Sequence, residues 1–308
     1  MIVCVGTTPV WQRSMVFERL TLDGVNRAAS VNDYASGKSI NVARVLHTLG
    51  REVTAVGFAG GGRGEAMLAD LGRAGIASEF VDVPTAETRQ CVTVIDRAAG
   101  TATELVEESK PVPADAWERL GAALDRILPR ASACVLSGSL PPEAPQDFYL
   151  ACLRRVPPGV PVVLDARGEP LRRALGRGNF VAKMNCDELA ATVGHTLDSD
   201  ERLLGAMRDV MPPGGKVVVT AGPQTVLAAD AERAWRVTPP KVEAKSAVGS
   251  GDGFAAGMII GLLEGEALSE ACALGAACGA ANAMTELAGF LSPDEVRRLR
   301  RQVRVEPV

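Results

Sequence analysis

Short apolar runs alternate with amphipathic segments along most of the chain. The amphipathic segments, such as 40–49, 64–74 and 115–128, carry apolar residues at helical spacing. The apolar runs have the length and β-branched content of buried strands. Six of them are clear: 2–6, 52–58, 133–139, 160–166, 179–185 and 216–222. Apolar strands separated by helices are typical of a parallel sheet covered on both faces, so the pattern predicts an α/β body.

Two segments depart from this alternation. Residues 10–34 and 87–107 carry polar and apolar residues in period two, with no helical segment between the predicted strands. We interpret them as β hairpins inserted into the body, which form a small lid from two separate pieces of chain. The body then consists of residues 1–9, 35–86 and 108–308. Towards the C-terminus the pattern predicts three helices: 252–264, 268–287 and 292–304.

Composition and charge exclude several classes of protein. The chain has 308 residues, of which 47% are hydrophobic and 23% charged, as is typical of a folded globular protein. Its formal net charge of −4 argues against a general nucleic-acid-binding protein. No apolar stretch approaches the length of about 20 residues that crosses a bilayer, and the N-terminus lacks the basic region of a signal peptide. We therefore expect a cytoplasmic protein without membrane or nucleic-acid partners.

Few side chains are available for metal or nucleophilic chemistry. The seven cysteines include no C-x-x-C pair and lie mostly in apolar segments, which indicates reduced core residues. Two histidines exclude a three-histidine metal site and make a histidine-based triad improbable. Any chemistry therefore depends on carboxylates, backbone amides and cationic side chains.

The segment SAVGSGDGFAAG, residues 246–257, is the richest in candidate chemistry. Glycines at 249, 251 and 253 permit close approach of the backbone to a ligand, and an apolar helical stretch begins near Asp252. Free N–H groups at a helix N-terminus form an anion hole. An acid beside an anion hole suits phosphoryl transfer, which needs a base for the hydroxyl and stabilisation of the transferred charge. Taken alone, the segment also fits a glycine turn with Asp252 as a helix cap.

The same segment resembles the C-terminal signature of the PfkB family within the ribokinase superfamily, whose G-A-G-D core reads Gly249-Ser250-Gly251-Asp252 here. Residues 36–50, SGKSINVARVLHTLG, are similar to the N-terminal signature, usually G-G-K-G-I-N-V-A-R. Further matches occur in order over nearly the whole chain: GVNR (24–27), GFAGGGRG (57–64), TR (88–89), SGSLP (137–141), LDARGEPLRRAL (164–175) and N-x-x-E (185–188). The set is most similar to the branch of 1-phosphofructokinases and tagatose-6-phosphate kinases. It implies a ribokinase-like three-layer α/β/α fold with a mainly parallel sheet and a small β lid.

Two other nucleotide-binding motifs fit poorly. Gly37-Lys38-Ser39 ends like a Walker A loop, but that motif requires glycine at position 32, which is Asn. The first strand leads into GTTPVW rather than the glycine-rich turn of a Rossmann dehydrogenase. Both classes are therefore disfavoured.

The resemblance assigns catalytic and nucleotide-binding roles. Asp252 is the base, and the amides of Gly249, Ser250 and Gly251 stabilise the transferred group. Asn185 and Glu188 order Mg²⁺ through water, although this pair also fits a helix capping box, and the two roles are compatible. Contacts to ATP are assigned to Lys183, Asn185, Thr220, Gly222, Gly249, Gly251 and Asn282.

On the acceptor side, the resemblance assigns the substrate's existing phosphate to Lys38, Arg89 and Ser137. Gly37 and Asn41 line the sugar. Arg27 is a weaker candidate, because its segment belongs to the predicted lid.

The sugar end departs from the family pattern. Gln12 stands where the family has an aspartate that holds sugar hydroxyls, and an amide offers one neutral acceptor where a carboxylate offers two charged oxygens. Ser36 and Ser39 replace glycines, and Tyr34 replaces an acid. Changes at the nucleotide end, such as Met184 within the K-P-N element, are tolerable.

We therefore expect an ATP-dependent kinase that phosphorylates a hydroxyl of a ketose phosphate of the fructose 1-phosphate, tagatose 6-phosphate or fructose 6-phosphate type. One alternative is a kinase of an unphosphorylated sugar or nucleoside. Another is a non-catalytic sugar-phosphate sensor, which the intact Asp252 argues against. Family members often pair their lids, which makes a homodimer plausible here.

Overall fold

The predicted strands and helices form a large sheet, a small sheet and two helical layers in the computed structural model, which describes all 308 residues. The strands are β1 (Ile2–Val5), β2 (Val10–Phe17), β3 (Ser30–Ser36), β4 (Val53–Ala59), β5 (Ala77–Asp82), β6 (Arg89–Asp96), β7 (Thr101–Val106), β8 (Ala133–Ser137), β9 (Val162–Asp165), β10 (Val181–Asn185), β11 (Lys216–Ala221), β12 (Thr225–Ala229), β13 (Ala234–Thr238) and β14 (Arg304–Pro307). The helices are α1 (Lys38–Thr48), α2 (Gly61–Arg73), α3 (Ala114–Ile127), α4 (Phe148–Arg155), α5 (Gly168–Leu175), α6 (Cys186–Val193), α7 (Asp200–Asp209), α8 (Ser250–Leu263), α9 (Leu268–Ala283) and α10 (Pro293–Arg300).

The large sheet has ten strands in the order β14-β13-β12-β11-β10-β9-β8-β1-β4-β5. The seven strands from β11 to β5 are parallel, and the three at the other edge are antiparallel. All six predicted runs are strands of the parallel part, so the prediction of a mainly parallel sheet is confirmed. The sequence pattern missed β5 and the antiparallel edge: β5, β13 and β14 are mostly exposed or half-buried, whereas β12 is buried and apolar and was overlooked.

Alternate residues of the central strands enter two separate cores. Ile2 and Cys4 pack with the helices α1, α2, α8, α9 and α10, whereas Val3 and Val5 pack with α3 to α7. The apolar character of every residue in β1 follows, because both of its faces are covered. The predicted three-layer α/β/α arrangement is therefore confirmed.

The small sheet has the order β3-β2-β6-β7. Each of the two predicted segments forms an antiparallel hairpin, β2 with β3 and β6 with β7. The hairpins join through a parallel pair between β2 and β6, with Val10 opposite Arg89. A separate small sheet made from two pieces of chain was thus correctly predicted, although β3 continues to Ser36, beyond the expected limit at residue 34.

The predicted C-terminal helices are present as α8, α9 and α10. The backbones of α8 and α9 approach closely: a Cβ atom on Gly257 would lie 2.7 Å from the carbonyl oxygen of Leu274. The third helix ends at Arg300, earlier than predicted, because residues from Arg304 join the sheet edge as β14. The tight packing holds the N-terminus of α8 at a fixed position above the sheet.

None of the helices combines the length and the apolar character needed to span a lipid bilayer.

Candidate active site

The candidate site lies where the carboxyl ends of the parallel strands meet the N-termini of α1 and α8. Ser137, Asp165 and Asn185 are the last residues of β8, β9 and β10. Parallel strands bring such residues to one edge of the sheet, although they are far apart in sequence. A cleft at this edge is lined only by glycine and polar residues: Gly6, Thr8, Lys38, Ser39, Arg89, Ser137, Gly138 and Ser139.

Asp252 lies in the first turn of α8, and its side chain is almost fully buried, with 7% exposure. Its Oδ2 accepts a hydrogen bond of 2.8 Å from Nδ2 of Asn41, and Oδ1 has no hydrogen-bond partner in the protein. Burial raises the pKa of Asp252 to about 6, although the nearby charge of Lys38 acts in the opposite direction. A carboxylate with this pKa and one free oxygen is suited to accept a proton near neutral pH.

Two backbone N–H groups beside Asp252 are free. The N–H of Ser250 donates to the carbonyl of Ala247 at 3.1 Å, whereas the N–H groups of Gly249 and Gly251 have no acceptor in the protein. Gly249 has a φ of 80°, and a Cβ atom there would lie 2.8 Å from Cβ of Ala288, so only glycine fits. Of the three predicted amides, two are therefore available to bind an anion.

A buried ammonium group lies next to these amides. A Cβ atom on Gly251 would lie 3.1 Å from Nζ of Lys183, which places the charge beside this residue. The Lys183 ammonium donates to Oδ2 of Asp165 at 2.5 Å. Main-chain donors and a positive side chain thus converge at the tip of α8.

Asp165 links the two lysines of the site. It is 1% exposed, and its Oδ1 accepts from Nζ of Lys38 at 2.6 Å while Oδ2 accepts from Lys183. Burial alone would raise the pKa of Asp165, but the charges of Lys183 and Lys38 hold it below its ordinary value. Asp165 was not among the predicted site residues. The available signal was an acid at the last position of an otherwise apolar buried strand.

Asn185 and Glu188 form the capping box at the start of α6. The Glu188 N–H donates to Oδ1 of Asn185 at 2.7 Å, and the Asn185 N–H donates to Oε2 of Glu188 at 2.9 Å. The second carboxylate oxygen of Glu188 accepts from Lys38 at 3.2 Å. The two residues therefore form the predicted helix capping box, and the Glu188 carboxylate also faces the site.

The predicted phosphate-binding residues Lys38, Arg89 and Ser137 line one cleft. The Arg89 guanidinium donates to the carbonyls of Thr8 and Glu107, both at 3.3 Å, and Arg89 Nε and Ser137 Oγ are buried without a partner. Both residues line the cleft, so its wall contains polar atoms that no group of the protein satisfies.

Gly37 and Asn41 complete the acceptor side at the start of α1. Gly37 precedes the helix with a φ of 105°, and a Cβ atom there would lie 3.1 Å from Cα of Pro9. Asn41 joins the site through its hydrogen bond to Asp252. Thr220 lies opposite Asn185 in the pairing of β10 with β11, and Gly222 follows in the next turn with a φ of 56°.

Three predicted site residues lie elsewhere. The amide of Gln12 donates to Oγ1 of Thr93 at 2.9 Å inside the small sheet, and Gln12 does not line the cleft. Asn282 is 0% exposed. Its Nδ2 donates to the carbonyl of Val248, and its Oδ1 accepts from the N–H of Gly289. Arg27 is exposed in the connection between β2 and β3.

Tyr34, which replaces an acid of the family signature, has a structural role. Its buried hydroxyl accepts a 3.1 Å hydrogen bond from the N–H of Ala288, and its ring meets Phe290 edge-on at 5.5 Å. The loop around Ala288 also packs against Gly249. The phenol therefore ties the small sheet to the loop that supports the anion hole.

A helix tip with free N–H groups, a buried acid and two ammonium groups defines a phosphotransferase-type site at the edge of a parallel sheet. Comparison with known proteins gives the same class. The model of the pfkB family of carbohydrate kinases matches residues 1–295. The chain belongs to this family, so it is a phosphotransferase with an alcohol group as acceptor.

Individual relatives match over the full length of the chain. Tagatose-6-phosphate kinase of Staphylococcus epidermidis is 27% identical over 310 residues, which cover 99% of each chain. Phosphofructokinase-2 of Escherichia coli, solved with fructose-6-phosphate, is 28% identical with a TM-score of 0.86 and 98% coverage of both chains. A protein of Thermotoga maritima has a TM-score of 0.90 with 100% coverage of this chain and 99% of its own, and at 22% identity it shows the fold alone.

The pairing of Asp165 with two lysines predicts a stability effect. We expect Asp165→Asn to lower the free energy of unfolding by about 3–5 kcal/mol, because it leaves the buried ammonium group of Lys183 without its counter-charge, whereas Lys38 keeps its pair with Glu188. Urea denaturation measures the change. Asp198→Asn is the matched control, since Asp198 is exposed in its pair with Arg202 and we expect a change below about 1 kcal/mol. Equal effects of the two substitutions would contradict the prediction.

Proposed function

We propose that the protein is an ATP-dependent kinase that transfers the γ-phosphoryl group to a hydroxyl of a ketose phosphate. The observation that carries the proposal is the free Oδ1 of Asp252 on the same helical turn as the free N–H groups of Gly249 and Gly251. In one turn of helix, the base can accept the proton of the attacking hydroxyl and the anion hole can stabilise the charge on the transferred phosphoryl group.

The transfer needs few protein groups. The sugar hydroxyl attacks the γ-phosphorus, the new O–P bond forms, and the bond to the β-phosphate oxygen breaks to release ADP. Asp252 Oδ1 takes the hydroxyl proton. The N–H groups of Gly249 and Gly251, with the Lys183 ammonium, stabilise the charge on the transferred group.

In this proposal the nucleotide lies beside the cleft, at the carboxyl ends of β10 and β11. Lys183 contacts its phosphates, and Thr220 and the turn at Gly222 contact the nucleotide at the end of β11. Asn282 contributes indirectly, because its amide joins the segment of Val248 to the loop of Gly289.

The residues present fit a Mg²⁺ ion that accompanies ATP. Glu188 offers a carboxylate beside the exposed amide of Asn185, and hard oxygen donors of this kind suit magnesium. Because the carboxylate also engages Lys38 and the helix N-terminus, we propose that both residues hold the ion through its waters. Bound there, Mg²⁺ would neutralise charge on the triphosphate.

The acceptor carries its own phosphate in our proposal, and Arg89 is its main binding group. Lys38 is already paired with Asp165 and Glu188, whereas Arg89 has only backbone partners and a buried Nε that lacks one. Arginine forks bind phosphate oxygens in pairs. The names of relatives point the same way, since one is a tagatose-6-phosphate kinase and another was solved with fructose-6-phosphate.

The base assignment predicts the effect of a single substitution. We expect Asp252→Asn to keep ATP binding, measured by calorimetry, and to lose at least about 100-fold in kcat, because an amide cannot accept the proton. In the unchanged protein, kcat should fall as the pH drops through about 6, since burial raises the pKa of Asp252 to that value. Asp209→Asn, an exposed change of the same type, is the control. Full turnover in Asp252→Asn would show that another group is the base.

The acceptor class is tested by an ADP-release assay with ketose phosphates, free ketoses and nucleosides. We expect turnover with a ketose phosphate, and we expect Arg89→Gln to raise its KM about tenfold or more while the KM for ATP stays unchanged, because a charge-assisted bond is lost. Arg126→Gln, at an exposed arginine remote from the cleft, controls for loss of charge. An unaltered KM in Arg89→Gln, or a preference for unphosphorylated sugars, would favour the alternative kinase class.

We also propose that residues 10–34 and 87–107 act as a lid and that two copies of the chain pair through its outer face. The strand register places Met15 beside Val31 and Val94, and Leu105 lies opposite Val92. Val31 and Leu105 are 50% and 57% exposed. An exposed cluster of apolar side chains such as this one favours burial in an interface.

The oligomeric state checks this pairing. We expect light scattering after size exclusion to give the mass of a dimer, and Leu105→Asp to shift it to the monomer, because a charge would enter the apolar contact. Val308→Asp, the same kind of change at an exposed apolar residue outside the small sheet, should leave the mass unaltered. A monomer in the unchanged protein would contradict the proposal.

A further inference from the structure

A chain of hydrogen bonds connects the small sheet to the side chain of Asp252. The hydroxyl of Ser36, the last residue of β3, donates to Oδ1 of Asn41 at 2.9 Å. Nδ2 of Asn41 then donates to Oδ2 of Asp252 at 2.8 Å. All three side chains are buried, so the chain is shielded from exchange with bulk water.

The direction of each bond follows from the chemistry of the groups. An ionised carboxylate only accepts hydrogen bonds, so Asn41 must present its NH₂ group to Asp252 and its carbonyl oxygen to the other side. A hydroxyl that meets a carbonyl oxygen must donate. If the Asn41 amide turned by half a rotation, its oxygen would face the carboxylate and repel it. The Asp252 carboxylate favours this orientation from one side, and the Ser36 hydroxyl stabilises it from the other.

We propose that Ser36 is a positioning residue, whose hydroxyl locks the Asn41 amide so that Oδ2 of Asp252 is occupied and Oδ1 is left for the acceptor hydroxyl. This inference rests on the proposed role of Asp252 as the base. The family signature has glycine at this position, which offers no hydroxyl. The device therefore belongs to this chain, and it makes the orientation of the base depend on the last residue of the small sheet.

The pKa of Asp252 can report on this hydrogen-bond lock, because the charges around its carboxyl do not depend on Ser36. Lys38 of α1, Asp165 of β9 and Lys183 of β10 act on its carboxyl, and none of them bonds to Ser36. The bond from Asn41 favours the ionised form and lowers the pKa of Asp252. Loss of the lock should raise this pKa while the surrounding charges stay in place.

The experiment follows the titration of Asp252 in Ser36→Ala by ¹³C NMR of its carboxyl carbon, assigned through the loss of that signal in Asp252→Asn. We expect the pKa to rise by about half a unit or more, and the acidic limb of the kcat profile to move to higher pH by the same amount. Ser36→Gly is the second variant without the hydroxyl, and it introduces the residue that the family signature has here. Ser30→Ala, at the first position of β3, is the matched control and should leave both profiles unchanged.

The outcomes separate this inference from the proposed function. If both Ser36 variants titrate like the unchanged protein, the lock does not exist, whatever the activity of Asp252→Asn. If the pKa of Asp252 rises but the kcat profile does not move, Ser36 orients Asn41 without positioning a base, and the inference is overturned. If Asp252→Asn retains full turnover, the base assignment itself fails.

Discussion

The site depends on how buried charge is balanced at one edge of the sheet. Asp165 and Asp252 are both buried acids, but Asp165 lies between two ammonium groups whereas Asp252 has only an amide as donor. The pKa of Asp165 is therefore held low, and that of Asp252 rises to about 6. Environments that drive two acids apart in this way divide their roles: Asp165 stays ionised and orders the lysines, and Asp252 remains free to exchange a proton.

This balance requires groups that are distant in sequence. Lys38, Asp165, Lys183 and Asp252 belong to α1, β9, β10 and α8, and only the parallel sheet brings them to the same edge. The closely packed α8 and α9 fix the position of the last of the four. Because the buried Asp165 is the counter-charge of both Lys183 and Lys38, a change in β9 must disturb α1 and β10 as well.

Much of the fold could be predicted because its signals are local. Continuous apolar runs identified the parallel strands, period-two segments identified the two hairpins, and the family and the carbohydrate kinase function were confirmed. The parallel pairing of β2 with β6 could not be predicted, since it joins hairpins more than 70 residues apart. The partners of Asp165 and the burial of Asn282 were missed for a related reason, because residue type does not show which neighbours a side chain meets. The assigned roles of the site residues stay predictions.

Three of the four departures at the sugar end, Gln12, Tyr34 and Ser36, have side chains that bond within the protein, whereas Ser39 lines the cleft. Tyr34 and Ser36 replace an acid and a glycine in the β3–α1 segment, and both hydroxyls are used within the protein rather than turned into the cleft. Tyr34 bonds the loop that packs against Gly249, and Ser36 bonds the amide that donates to Asp252. Gln12 likewise bonds within the small sheet. Of the changes at the sugar end, Ser39 alone lines the cleft, beside Arg89 and Ser137 with their unsatisfied polar atoms, so an effect of these changes on the choice of acceptor should arise there.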